Sequence, residues 1–195
     1  ENALTRVELL DKFILCQYLN DVSTEIFLYN KQTLTKKKLS FDEKGIISSI
    51  SSNHDSDVFY FTFTNYIKPN EIYEYNGRND TTRLLWKKEV PDYNSEDFIT
   101  RQIFYPSKDG TLIPMYVSHQ KDLKIDRNTP LLLYGYGGFD ISILPSFRER
   151  YLAWMKMGGI LAVPNLRGGG EYGEEWHRQG MLANKQNVFD DFIAA

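Results

Sequence analysis

Residues 130–139 read Pro-Leu-Leu-Leu-Tyr-Gly-Tyr-Gly-Gly-Phe, and this stretch decides the fold of the second half of the chain. The apolar run at residues 130–134 is bounded by proline and glycine, which predicts a short buried strand. Gly135, Gly137 and Gly138 then form a loop, because glycine allows backbone angles and close approaches that other residues do not. Such a loop either binds a ligand or is a plain turn with its tyrosines in the core. The spacing alone leaves both interpretations open.

Strands and helices alternate around this loop. Apolar runs bounded by turn residues predict four strands, at residues 99–105, 111–118, 130–134 and 160–163. An amphipathic pattern predicts a helix over residues 147–157, ended by Gly158, and a last helix begins near Asn187. The dipeptide Asp109-Gly110 predicts a hairpin between the first two strands. This order predicts an α/β fold with a mostly parallel sheet and helices on its faces.

The first half of the chain differs in composition from the second. Residues 1–97 contain Gly45 and Gly77, and residues 98–195 contain all the others of the 13 glycines. The polar stretch 92–97 follows a proline, which is typical of a linker. We therefore expect an all-β domain at residues 1–97 and an α/β domain at residues 98–195.

A weak repeat with a period of 46 residues runs through the first half. Three segments keep this separation: residues 11–15 align with 57–61, residues 26–30 with 72–76, and Leu39 with Leu85. A period of 40–50 residues with several short strands is typical of β-propeller blades. An ordinary β-meander with chance matches is the alternative. If the repeat is real, Phe13 and Phe59 lie on equivalent strands of adjacent sheets.

Composition excludes several classes of protein. The chain has 42% apolar and 14% aromatic residues, so it can bury a core and is not disordered. Its net charge of −3 gives no basic face for nucleic acid, and no apolar run approaches the ~20 residues of a membrane span. The single cysteine, Cys16, lies in an apolar run and predicts a reduced thiol in a cytosolic protein. The histidines lack the spacing of a metal site.

Tyr136 is the candidate catalytic residue that the sequence offers. In α/β-hydrolases the loop after the third strand supplies a donor to the oxyanion hole, and residues 134–139 follow the third predicted strand. A tyrosine hydroxyl is a good neutral donor to a developing oxyanion. No serine stands in a Gly-x-Ser-x-Gly motif, so the sequence offers no nucleophile. The second glycine-rich loop, residues 167–173, lacks the ending of a phosphate-binding loop, which favours a packing role.

Four motifs stand out in the second half, at residues 102–111, 134–139, 165–177 and 182–192. Together they resemble the prolyl oligopeptidase family of serine peptidases. The resemblance covers residues 100–195 closely, and residues 1–97 resemble the last blades of the family's propeller. It implies partial β-propeller blades followed by the N-terminal part of an α/β-hydrolase domain. It also implies cytoplasmic cleavage of short peptides after proline by a Ser-His-Asp triad, without a metal or cofactor.

The resemblance carries over to two residues of the candidate site. Tyr136 matches the tyrosine whose hydroxyl serves the oxyanion hole, and Phe139 matches an aromatic residue that lines the proline pocket. The triad residues have no counterparts here, so we expect an internal fragment that is inactive alone. Oligopeptidase B, which cleaves after basic residues, has a similar fold and is one alternative. A non-catalytic peptide-binding module is the other.

Overall fold

The computed structural model describes residues 3–39, 41 and 43–195 of the chain. Its strands form three sheets of four strands each. The first sheet contains β1 (Ala3–Leu9), β2 (Phe13–Asn20), β3 (Ser23–Asn30) and β4 (Lys36–Leu39). The second contains β5 (Ile46–Ser52), β6 (Val58–Thr64), β7 (Glu71–Asn76) and β8 (Thr81–Lys87). Both are antiparallel meanders, in which each strand pairs with the next one along the chain.

The first two sheets share one apolar core. Leu15 of β2 lies opposite Leu28 of β3, and both belong to a cluster that also contains Phe59 and Phe61 of β6. All four side chains are almost completely buried. The ring of Phe59 lies 5.1 Å from the ring of Tyr75, which extends the cluster along β7. Sheets that bury apolar faces against one another in this way have the packing of propeller blades.

The 46-residue repeat predicts correctly which strands of the two sheets are equivalent. It aligns the residues of β2 with those of β6 incorrectly, by one position. Phe13 and Phe59 lie on the second strands of adjacent sheets, as expected. However, Phe13 pairs with Asn30, whereas Val58 pairs with Asn76. The structural separation is therefore 46 residues in the third strands but 45 in the second. Because side chains alternate along a strand, this shift turns Phe59 towards the first sheet.

The third sheet lies in the second half of the chain. It contains β9 (Phe98–Pro106), β10 (Leu112–Gln120), β11 (Leu131–Leu133) and β12 (Ile160–Pro164), in the order β11-β12-β10-β9. The expectation of a mostly parallel sheet is wrong for the described residues. Only β11 and β12 pair in parallel, and β10 is antiparallel to both of its neighbours. Strands β9 and β10 form a hairpin, with the predicted turn at Asp109 and Gly110. Gly110 has φ of +86°.

Among the described residues, three α-helices accompany the third sheet: α1 (Glu149–Lys156), α2 (Glu174–Arg178) and α3 (Gln186–Ala194). Helix α1 begins two residues later than predicted, and Gly158 follows it with φ of +86°, as a glycine after a helix end should. Helix α2 is a single short turn that the sequence pattern did not predict. In the part of the chain that the structure describes, no helix is long and apolar enough to cross a membrane.

A second apolar cluster joins the tip of the β2–β3 hairpin to the third sheet. Val22, at this tip, is completely buried in one cluster with Tyr116 of β10, whose hydroxyl donates to the Val22 carbonyl at 3.3 Å. The neighbouring Asp21 accepts from Gln102 at its carbonyl and from the Tyr172 hydroxyl at its carboxylate. Val22 has φ of +58°, which is strained for a β-branched residue. Burial and these hydrogen bonds hold the tip in that conformation.

Candidate active site

Tyr136 lies in the loop that follows β11, at the carboxyl end of the parallel strand pair. Its backbone forms a parallel bridge with Asn165, the residue after β12. Its side chain is 36% exposed, and its hydroxyl makes no hydrogen bond with any other described residue. In open α/β sheets, ligands bind outside the carboxyl ends of the parallel strands. The loop therefore presents an unused hydrogen-bond donor where this class of fold binds ligands.

Two glycines of this loop are tightly enclosed. A Cβ atom on Gly137 would lie 2.5 Å from the carbonyl oxygen of Arg167 and 2.6 Å from the side chain of Val188. A Cβ atom on Gly135 would lie 2.9 Å from the ring of Phe192. A larger residue at Gly137 would force backbone to move, and one at Gly135 would force the Phe192 ring to shift. The segment after β12 and helix α3 therefore fix the backbone on both sides of Tyr136.

The loop ends in two residues with left-handed backbone angles. Phe139 has φ of +54° and Asp140 has φ of +58°. The Asp140 N–H and the Nδ1 atom of His177 both lie within hydrogen-bond distance of the Gly168 carbonyl oxygen, at 3.2 and 2.8 Å. We assign a proton to Nδ1, because each donor then has an acceptor. These bonds hold the strained loop end, and the ring of Phe139 is left 84% exposed.

A buried ionic network around Arg167 stabilises the segment after β12, which packs against the Tyr136 loop. Arg167 is 2% exposed, and its guanidinium donates to both carboxylate oxygens of the fully buried Asp191, with the shortest bond at 2.6 Å. The guanidinium also donates to Asp109 at 2.5 Å. This bond to Arg167 is the largest cause that lowers the pKa of the Asp109 carboxyl to about 2. The Ser107 hydroxyl donates to Asp191 at 2.6 Å. The network ties the β9–β10 hairpin to α3 and fixes Arg167, whose carbonyl oxygen occupies the space that a Cβ on Gly137 would need.

Glu171 connects the second glycine-rich loop to the chain before α1. Its Oε1 atom accepts from the Ile143 N–H at 2.8 Å and from the Asn165 amide at 3.2 Å. Its Oε2 atom and the Asn165 Oδ1 atom have no partner among the described residues. Burial raises the pKa of the Glu171 carboxyl to about 6. The carboxyl thus binds its proton more tightly than an exposed carboxyl does, because no cation among the described residues pairs with it to offset the cost of burying its charge.

Sequence reasoning missed the contact that Lys185 makes with the loop. Its ammonium donates to the Gly137 carbonyl at 2.5 Å and lies 3.5 Å from the position of a Cβ on Gly138. The 48-residue separation between donor and acceptor hides this pair from local patterns. Arg167 and Asp191 were also missed, for the same reason.

Comparisons with known proteins cover both halves of the chain. Residues 1–88 match the sequence model of the prolyl oligopeptidase N-terminal β-propeller domain, and residues 145–195 match that of the prolyl oligopeptidase family. The chain belongs to the prolyl oligopeptidase family. Its first two sheets are blades of a partial β-propeller, and its third sheet and helices are part of an α/β-hydrolase domain. Tyr136 and Phe139 lie between the two matched ranges.

Individual members of the prolyl oligopeptidase family are similar over nearly the whole chain. The prolyl endopeptidase of Elizabethkingia meningoseptica is 40% identical over 94% of the chain and 26% of that protein. A solved structure from a study of two prolyl endopeptidases and their inter-domain dynamics is 41% identical, with a TM-score of 0.90 over 99% of the chain and 28% of its own. Prolyl oligopeptidase B from Galerina marginata, bound to a 25mer macrocyclization substrate, is 35% identical, with a TM-score of 0.91, and covers 100% of the chain. The match is to 27% of that chain.

The chain spans about a quarter of the length of the relatives that it matches. Nearly all of the chain therefore has the same fold as the matching region of these relatives. The activities and substrates in the relatives' names are those of much longer proteins.

Proposed function

We propose that this chain forms part of a serine peptidase that cleaves short peptides on the carboxyl side of proline, with Tyr136 as an oxyanion-hole donor. One observation carries the proposal: the Tyr136 hydroxyl has no partner among the described residues and stands on a loop that its neighbours fix. An oxyanion hole needs donors that are in place before charge develops. A free hydroxyl on a fixed loop meets that need, and family membership supports the assignment.

In the proposed reaction, a nucleophile attacks the scissile carbonyl and negative charge develops on the carbonyl oxygen. The Tyr136 hydroxyl donates a hydrogen bond to that oxygen and keeps its proton. A second donor is the backbone N–H that follows the nucleophile in hydrolases of this fold. The hydroxyl accelerates the reaction only if its bond is stronger in the tetrahedral intermediate than in the bound substrate.

We propose Phe139 as an aromatic residue of the substrate-binding pocket. Its ring is 84% exposed although it is large and apolar, so its surface is available to a ligand. An aromatic face offers a proline ring a large apolar contact area. The strained backbone at Phe139 supports a functional role, because such strain persists where the surrounding structure holds it.

Further parts of the proposal concern the whole protein. Its partners are short proline-containing peptides, without nucleic acid, membrane or cofactor, and it acts in the cytoplasm, where the buried single thiol Cys16 stays reduced. Residues 1–97 and 98–195 are separate domains, a division supported by the stretch between β8 and β9, which contains one short 3-10 turn and no strand. Triad residues act as a unit, and this chain has no match to them. The 195-residue chain alone is therefore inactive.

The proposal is tested with Tyr136→Phe in the full-length protein, measured by kcat/KM on fluorogenic proline-containing peptides. The change removes one hydroxyl and keeps the ring, so kcat falls by ~10²–10³ while the melting temperature stays close to that of the wild type. Tyr134→Phe is the matched control, because Tyr134 is a similarly exposed tyrosine at the start of the same loop. Wild-type kcat/KM for Tyr136→Phe, on several peptides, would overturn the assignment.

A substrate panel separates the proposed activity from the two alternatives. Cleavage after proline is expected, and cleavage after arginine or lysine would instead indicate an oligopeptidase B-like enzyme. A full-length protein that binds proline-containing peptides without turning them over would be a binding module. Each peptide needs a matched partner in which only the residue before the scissile bond changes.

A further inference from the structure

Lys185 touches the Tyr136 loop at the carbonyl group next to Tyr136. Its Nζ atom donates to the Gly137 oxygen at 2.5 Å, which is short for a bond between an ammonium and a carbonyl. The same Nζ atom and the Tyr136 hydroxyl both lie within 4.0 Å of one point, the position that a Cβ on Gly138 would take. The ammonium therefore lies at most about 7.5 Å (3.5 + 4.0 Å) from the hydroxyl that the proposed function uses.

The place of Lys185 in its helix is unusual. Lys185 lies between a 3-10 turn at Leu182–Asn184 and α3, has helical backbone angles, makes no side-chain capping bond, and has no acidic residue after it in the first turn of α3. The N-terminus of a helix carries partial positive charge, so a cation is unfavourable there and an acidic or hydroxyl side chain is preferred. The Lys185 side chain therefore gains nothing from the helix end, and its ammonium donates instead to the Gly137 carbonyl.

The lysine is held in this position from two sides. Its backbone directly precedes α3, which packs through Val188 against Gly137 and through Phe192 against Gly135. Its ammonium lies 6.0 Å from the ring of Phe189, at the distance of a weak cation–π contact. An exposed lysine without such partners has no fixed position, whereas this one is directed at a single carbonyl.

We propose that Lys185 is a positioning residue for Tyr136. Its ammonium holds the Gly137 carbonyl, which fixes the backbone on the carboxyl side of Tyr136, and it places positive charge on the same side of the loop as the hydroxyl. The inference rests on the proposed function, because it assigns Lys185 a role in the same oxyanion site. It predicts that the lysine contributes to kcat through Tyr136 and contributes little to substrate binding.

The test compares Lys185→Met with Lys185→Arg in the full-length protein, with Lys156→Met as the control. Methionine keeps the aliphatic chain and loses the ammonium, so kcat falls about tenfold or more with KM little changed. Arginine restores a charged donor and recovers most of kcat. Lys156 is another exposed lysine that donates to a backbone carbonyl, that of Asp92 at 2.7 Å, and its replacement leaves kcat unchanged.

A double-mutant cycle with Tyr136→Phe decides whether Lys185 acts through the hydroxyl. Once the hydroxyl is gone, Lys185→Met is expected to lower kcat by less than twofold further. Wild-type kcat for Lys185→Met, or the same fold-loss in both backgrounds, would overturn the inference while leaving Tyr136 in its role. Wild-type kcat for Tyr136→Phe itself would instead overturn the proposed function. Melting temperatures within a degree or two of wild type are expected for both lysine variants.

Discussion

The first two sheets and the two glycine-rich loops are stabilised by different kinds of contact. Between the sheets the contacts are apolar side chains such as Leu15, Ile26 and Phe59. Around Tyr136 they are backbone atoms of glycines, a buried guanidinium and a lysine that donates to a carbonyl. The first kind of contact is non-directional and scales with buried area, whereas the second depends on angles and on distances of a few tenths of an ångström.

This difference teaches which residues of the chain are replaceable. An apolar core tolerates exchange between side chains of similar volume, since any good filling of the space stabilises the fold. A loop built on close backbone approach and on charge has no such freedom. The two regions of one chain should therefore respond in opposite ways to conservative substitutions.

The largest effect is expected for Gly137→Ala, measured as kcat/KM on a proline-containing peptide. The added Cβ would lie 2.5 Å from the Arg167 carbonyl, so the loop must shift and carry Tyr136 with it. The loss should approach that of removing the donor, ~10²–10³. Gly138→Ala is the control, because its Cβ would lie 3.5 Å from the Lys185 ammonium and 4.0 Å from the Tyr136 hydroxyl, which are ordinary contact distances that require no backbone shift. Equal losses for the two variants would show that the backbone contact at Gly137 does not set the site.

Arg167→Lys is expected to cost about 3 kcal/mol of unfolding free energy, although charge is conserved. Lysine cannot reproduce the planar fork that binds the buried Asp191 at two oxygens and reaches Asp109 as well. Urea denaturation of the full-length protein measures the loss. In the apolar core, Ile26→Leu should cost less than ~1.5 kcal/mol although Ile26 is completely buried. If Ile26→Leu proves the more damaging change, the contrast between the two regions fails.

A smaller effect, dependent on pH, is expected for Glu171→Gln. The folded-state pKa of about 6 lies above the ordinary value of 4.5, so the carboxyl binds its proton more tightly in the folded protein. Stability from this group is fully present below pH ~4.5 and is lost as pH rises through ~6, by about 2 kcal/mol. Glutamine cannot ionise, so the variant should gain on the wild type by that amount between pH 4 and pH 8. Denaturation midpoints across this range measure the gain.

Glu149→Gln is the control for the Glu171→Gln experiment, because the change in stability with pH is expected to have the opposite sign. Glu149 is exposed and pairs with Lys88, which lowers the pKa of its carboxyl. Its contribution is present above the ordinary pKa and is lost as pH falls. Glu149→Gln should therefore lose stability relative to the wild type at higher pH. A parallel response of the two variants would show that burial of Glu171 does not cause its pH dependence.

Strand positions in the second half could be predicted from sequence because short apolar runs between turn residues have few other interpretations. All four predicted strands exist, with bounds within two residues of those observed. The direction of pairing could not be read in the same way. It depends on how chain segments cross over between strands, and the apolar pattern of β10 is the same whether its neighbour β12 runs parallel or antiparallel.

The sequence predicted the position of the candidate site along the chain, but not the residues that contact it. The glycine pattern at residues 135–138 marks the loop, since glycine density reports close backbone approach. The groups that approach it do not appear in any local pattern. Lys185 is 48 residues from its acceptor, and Arg167 is 58 residues from Asp109. Such pairs depend on tertiary structure, so only the folded chain shows them.

The strained tip of the β2–β3 hairpin has a consequence for the order of folding events. The hairpin itself is local and can form early, but left-handed angles at Val22 disfavour its final turn until the tip is buried. The partner that buries it, Tyr116, is 94 residues further along the chain. We therefore expect the turn to reach its native shape only when the third sheet docks. Substitutions that relax it, such as Val22→Gly, should change the rate of docking more than the rate of hairpin formation.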